Sequence, residues 1–127
     1  MTPEEAKAIL TPFYDEMVKN MTDGKAEENL KFTHPDAVVV DKQHKLCHYG
    51  LEQIAVALKK FMDEYAAKDI RRSNEKFCAC ECCICYCCEF HFDSSKGPQT
   101  AKEFHIWRKH DNEWKLYHVD YEIVEQK

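Results

Sequence analysis

The stretch Phe77 to Asp93 reads F-C-A-C-E-C-C-I-C-Y-C-C-E-F-H-F-D, and seven of the chain's eight cysteines fall between Cys78 and Cys88. Such a run is either a metal-binding segment or a pair of strands. It contains C-x-x-C spacings at Cys80/Cys83, Cys82/Cys85 and Cys85/Cys88, the usual signature of two thiolates on one zinc ion. Strand geometry argues against that use. Residues three apart on a strand point to opposite faces, and residues two apart lie about 6.8 Å from each other. Thiolates on one zinc ion sit within roughly 4 Å. The alternation favours strands, with Ile84, Tyr86, Cys88, Phe90 and Phe92 on the buried face. Cys83, Cys85 and Cys87 fall on the outer face with Glu89 and His91. A tight turn is expected near Glu81-Cys82. The cysteines then serve as small, weakly polar strand residues, and no metal site is expected.

The remaining elements follow from local signals. Thr2 and Glu5 form a capping box, and Pro3 sits at the first helical position. Ile9, Leu10, Phe13, Tyr14, Met17, Val18 and Met21 continue at helical spacing. Pro12 predicts a kink near Ala8, or a second helix from Thr11. Asp23-Gly24 ends the element. A short helix over Lys25–Lys31 should present Ala26 and Leu30 to the core. His34-Pro35-Asp36 reads as a turn, Ala37–Asp41 as a strand, Leu46–Tyr49 as a second short strand. Leu51–Ala67 is the best amphipathic helix, with Ile54, Leu58, Phe61, Met62 and Tyr65 on one face. Strands follow over Ile70–Cys80, Cys83–Phe92, Thr100–Lys109 and Trp114–Val124. In the last, Tyr117, Val119, Tyr121 and Ile123 share a face by parity.

Helices followed by a long antiparallel meander define an α+β class, and 127 residues form one domain over 1–127. The acidic and basic residues are interspersed at a net charge of −5. That lacks the basic stripe needed for phosphate neutralisation, so no nucleic-acid partner is expected. No apolar run approaches the roughly 20 residues of a membrane helix. The acidic start Met1-Thr2-Pro3-Glu4-Glu5 is unlike a secretion signal. The expected location is the cytoplasm, where cysteines stay reduced. His44, Cys47 and His48 form an H-x-x-C-H cluster that reads as solvent-exposed.

A kinked N-terminal helix pair, an F-x-H-P-D-A-x-x-x-D strand, Y-G-x-E-Q-I opening a helix, then F-H-I-W-R-K and W-K-L-Y in the tail resemble the nuclear transport factor 2-like superfamily. The likeness is to its SnoaL-like and ketosteroid isomerase-like branch and covers nearly the whole chain. It implies N-terminal helices packed in a strongly curved, mainly antiparallel sheet, a cone-shaped, cystatin-like roll with a pocket, and homodimers formed through the outer sheet face. The isomerase branch uses an Asp base, with a Tyr and a protonated Asp as oxyanion hole. Carried over, Asp41 stands at the base position and Tyr14 near the oxyanion Tyr. His105 stands where the protonated Asp would be, a departure from the isomerase pattern.

The leading expectation is a small apolar or aromatic ligand held against Tyr86, Phe90, Tyr117, Val119 and Tyr121, with no cofactor. The first alternative is a cofactor-independent isomerase or dehydratase using Asp41, His105 and Tyr14. The second is an interaction module with a filled core. Parity also places Glu103, His105 and Trp107 on one face of their strand, and Phe104, Ile106 and Arg108 on the other.

Overall fold

The computed structural model describes residues 1–124. Helix α1 spans Pro3–Thr22 and starts as the capping box requires: Glu5 N donates to the Thr2 hydroxyl, and Thr2 N donates to the Glu5 carboxylate. Pro12 lies inside this one helix, so no second helix begins at Thr11. Ala6, Leu10 and Tyr14 recur every four residues and are buried, which sets the face that α1 lays on the sheet. Gly24, at φ +73°, takes the left-handed conformation that ends the element. The expected short helix is a 3₁₀ helix, Ala26–Phe32. Its repeat of three brings Ala26 and Asn29 to the buried side.

Six strands form one sheet: β1 (Thr33–Asp41), β2 (Leu46–Tyr49), β3 (Lys68–Ala79), β4 (Cys83–Ser94), β5 (Gly97–His110) and β6 (Glu113–Val124). Helix α2 (Gly50–Tyr65) intervenes between β2 and β3. The spatial order is β2-β1-β6-β5-β4-β3, antiparallel except where β1 runs parallel to β6. The fold is therefore α+β with N-terminal helices against a mainly antiparallel sheet. His34-Pro35-Asp36, expected as a turn, lies within β1. It is the irregular part of that strand, where the register against β6 shifts between Thr33 and Val38.

Curvature has identifiable causes. The β3–β4 register shifts twice, between Lys68 and Arg71 and between Ser73 and Lys76. Asp69 and Asn74, both at φ 53°, sit at these two irregularities. A further shift separates Ile106 from Trp107 on β5, opposite Tyr117 of β6. Extra residues of this kind bend a strand and increase its twist.

The expected turn at Glu81-Cys82 joins β3 to β4, and the expected alternation of β4 is present. Ile84, Tyr86, Cys88 and Phe92 are buried. Two core clusters result. Leu10, Tyr14, Ile84, Tyr86, Trp107 and Leu116 meet under α1. Tyr65, Ala67, Phe92 and Ala101 meet near the end of α2. Among the described residues no helix is long and apolar enough to cross a membrane.

Candidate functional site

Between the two clusters the sheet and helices do not close. A cavity of about 220 Å³ remains, walled by the second half of α1, the 3₁₀ helix, α2 and the inner faces of β4, β5 and β6. Its apolar wall includes Leu58 and Phe61 from α2, Phe90 and Phe92 from β4, and Val119 and Ile123 from β6. A dry apolar cavity of ~150 Å³ suffices to bind benzene, so this one has room for at least one six-membered ring.

Polar groups enter at one side. Tyr14, Glu103 and His105 all line the cavity and are joined in a string. The Tyr14 hydroxyl is 2.6 Å from His105 Nδ1, and His105 Nε2 is 2.7 Å from Glu103 Oε1. Trp107 Nε1 donates to the Tyr14 hydroxyl oxygen at 2.8 Å. An indole N–H can only donate, so the Tyr14 oxygen accepts there. With a neutral imidazole, one proton arrangement satisfies the string: Tyr14 O–H donates to Nδ1, and Nε2–H donates to the Glu103 carboxylate. Tyr14 and His105 are almost fully buried, whereas the Glu103 side chain retains 20% exposure. Burial raises the Tyr14 pKa well above its ordinary value, and the Trp107 hydrogen bond offsets this only in part.

β5 supplies the string through its alternation. Glu103, His105 and Trp107 project from one face, and α1 brings Tyr14 over them. The stack of Tyr14 on Tyr86, with ring centroids 4.1 Å apart, fixes the height of the phenol. Asn29 adds a polar group to the wall, held by Asn20 Nδ2 donating to its Oδ1 (2.8 Å) and its own Nδ2 donating to Met17 O (3.1 Å).

Of the residues singled out from the sequence, Tyr14, His105, Phe90, Val119 and Tyr121 line the cavity. Asp41, Tyr86 and Tyr117 do not, and each has a physical reason. Asp41 is buried at the end of β1, and its carboxylate closes the following turn. It accepts from His44 N (3.2 Å) and lies 2.8 Å from His44 Nδ1. Burial pushes its pKa up, but the His44 hydrogen bonds outweigh that and hold it below the usual value. It approaches the cavity only through Tyr121, whose hydroxyl interacts with it and whose ionisation is suppressed first by burial and then by that carboxylate.

Tyr86 lies where α1 rests directly on the sheet. It is covered by Tyr14 and donates to Glu75 Oε2 at 2.6 Å. Tyr117 is displaced by the β5–β6 irregularity. Trp107 pairs with Leu116 and Ile106 with His118, so Leu116 takes the inward position. Tyr117 instead meets Arg108 and His34.

Glu103 and Trp107 complete the hydrogen-bonded string, and a search for single catalytic residues passes over them. Their signal was present in the strand parity they share with His105. Among the described residues, no group of three His, Cys, Asp or Glu side chains is placed to hold a metal ion.

With this geometry in place, the chain is seen to have the nuclear transport factor 2-like, cystatin-like fold. Solved structures similar to it include a nuclear transport factor 2-like protein of unknown function from Pseudomonas putida, with TM-score 0.81 and 10% identity over 94% of this chain and 87% of that one. A protein of unknown function with a cystatin-like fold from Nostoc punctiforme gives TM-score 0.77 and 14% identity, over 94% and 92% of the two chains. A putative ketosteroid isomerase from Parabacteroides distasonis gives 0.73 and 17%, over 91% and 86%. No protein-family model matches the sequence, and no curated protein is detectably similar to it.

Proposed function

We propose that the chain binds a small apolar or aromatic ligand in the cavity, one carrying a single polar oxygen that meets the Glu103–His105–Tyr14 side. The carrying observation is the combination of an apolar wall with one cluster of convergent polar groups. Such a site draws its affinity from apolar burial and its orientation from the few polar contacts. Thermal-shift and fluorescence titration with one- and two-ring aromatic alcohols and ketones tests it. The wild type gains stability with added ligand, and Val119→Trp, which fills the cavity, does not. Equal responses from both proteins would remove the cavity from the account.

The polar string favours a second reading, a cofactor-independent isomerase or dehydratase. Glu103 is the carboxylate on the cavity wall, so it takes the base role for which Asp41 is too far withdrawn. His105 holds it, and Tyr14 holds His105. Glu103 holds the proton it takes and returns it to the substrate, while the hydrogen bond from His105 Nε2–H keeps the carboxylate in place. Under this reading, 2-tetralone exchanges its α-hydrogens with D₂O faster in the presence of the protein. Glu103→Gln abolishes the acceleration while apolar ligands still bind.

The homodimer belongs to the same proposal. Cys85 pairs with Ile106 and Cys87 with Phe104 on the outer sheet face, and all four are half-buried in the single chain. This stripe of small and apolar side chains suits a flat contact between two copies. Sedimentation equilibrium should give twice the chain mass, and Phe104→Lys should return it to the monomer. A monomeric wild type would rule the dimer out.

A further inference from the structure

The tip of the β3–β4 hairpin holds two thiols in contact. Cys78 pairs with Cys85 and Ala79 with Ile84, so Cys80 and Cys83 form the next opposed pair, separated only by Glu81 and Cys82. Cys80 N donates to Cys83 O at 3.0 Å. The two Sγ atoms are 2.6 Å apart, and Cys80 Sγ is 3.3 Å from Cys83 O. Opposed residues in an antiparallel pair have Cα atoms about 4.5–5.5 Å apart, within the range that a disulfide spans. The C-x-x-C spacing that a straight strand would split between two faces is brought together here because the chain reverses between its members.

We propose that Cys80 and Cys83 are a reactive dithiol that exchanges with a small-molecule disulfide and closes reversibly to an intrachain disulfide at the hairpin tip. Cys80 is exposed and Cys83 half-buried, so the outer sulfur attacks first. The hydrogen bond to Cys80, with burial second, pushes the Cys83 thiol up to about 12. Cys83 therefore keeps its proton, and the exposed Cys80 is the sulfur that a disulfide in solution can reach.

Cys80 gives its proton to solvent, and its sulfur attacks one sulfur of the donor disulfide. The donor S–S bond breaks, one donor thiol leaves with a proton, and Cys80 carries the other half as a mixed disulfide. With Cys80 in a mixed disulfide, the thiol–thiol hydrogen bond that most restrained Cys83 is gone. The Cys83 thiol gives its proton to solvent and attacks the Cys80 sulfur, expelling the second donor thiol. The protein loses two electrons, and the donor disulfide becomes two thiols.

Two features mark this as an exchange site rather than a structural staple. The closed loop is very short, so closing it removes little unfolded-state entropy. Exposed disulfides also tend to be the labile ones.

The test uses the full chain in buffers of reduced glutathione and glutathione disulfide. Differential alkylation and fragment-ion mass spectrometry locate the sulfurs that react. The wild type should lose two alkylatable thiols, located at Cys80 and Cys83. Cys83→Ser should stop at one glutathione on Cys80, and Cys80→Ser should keep Cys83 alkylatable. Circular dichroism establishes that both variants are folded. A bond between Cys78 and Cys85 instead, or equal oxidation of wild type and Cys80→Ser, would overturn the proposal.

Discussion

Under the first half of α1 the inner face of the sheet is filled: Trp107, Tyr86, Ile84 and Leu10 are fully buried, and Tyr14 stacks on Tyr86. Under α2 the same face is lined by Phe61, Phe92, Val119 and Ile123, and a cavity remains. The two ends use similar residue types. They differ in how closely a helix approaches the sheet. α1 presents Ala6 to the sheet and comes close. α2 meets the cavity through Ile54, Ala57, Leu58 and Phe61 and leaves space. Tyr14 stands at the boundary, with its ring in the filled end and its hydroxyl in the string that opens into the hollow one. Apolar composition alone therefore does not make a core; helix placement decides which apolar surface is filled and which is left for a ligand.

The largest effect that could break this comparison is at the filled end. Trp107→Ala should destabilise the protein by about 3–5 kcal/mol in denaturant unfolding. It removes a fully buried ring and the donor to Tyr14. Val119→Ala at the hollow end should cost roughly 1 kcal/mol, because its neighbours already lack partners on the cavity side. Equal costs would mean that the two ends are packed alike.

Tyr14→Phe comes next, at about 1–3 kcal/mol. It leaves the Trp107 N–H and His105 Nδ1 without their shared partner while keeping the ring. The same hydroxyl sets an alkaline limit. Its pKa is raised in the folded state, so the stability it contributes is complete below the unfolded tyrosine value of ~10 and is lost as pH rises above it. Denaturant midpoints measured across that range should fall less steeply in Tyr14→Phe than in the wild type.

The smallest effect is at Asp41. Its folded pKa is lowered, so its contribution is present above the unfolded value of ~3.9 and disappears as pH falls through the folded one. Asp41→Asn should cost below about 1 kcal/mol at neutral pH, since His44 is largely exposed. The difference from wild type should vanish in acid.

Much of the filled end was legible in the sequence. The capping box, the helical recurrence of Ile9, Leu10, Phe13, Tyr14 and Met17 and the alternation of β4 are local signals, and all three appear in the structure as read. The hollow end was less legible because long-range registry builds it. Nothing local to W-K-L-Y reveals that Tyr117 falls opposite an irregularity and leaves its face to Leu116. Asp41 has the right strand position for a base, but the turn after it brings His44 back onto the carboxylate. Glu103 was visible by parity with His105. Its partnership with Tyr14 through that histidine required the helix to be laid on the sheet. The Cys80/Cys83 contact was hidden for a related reason, since strand spacing stops applying where the chain turns.

The most direct test of the two-ended account is a nuclear magnetic resonance titration of the uniformly labelled protein with 2-naphthol. The account predicts saturable shifts at Ala101, Val119, Tyr121 and Ile123, reaching Glu103 and His105, with Ala6, Ala79 and Ile84 unmoved. Shifts spread over both ends, or confined to the outer sheet face, would contradict it.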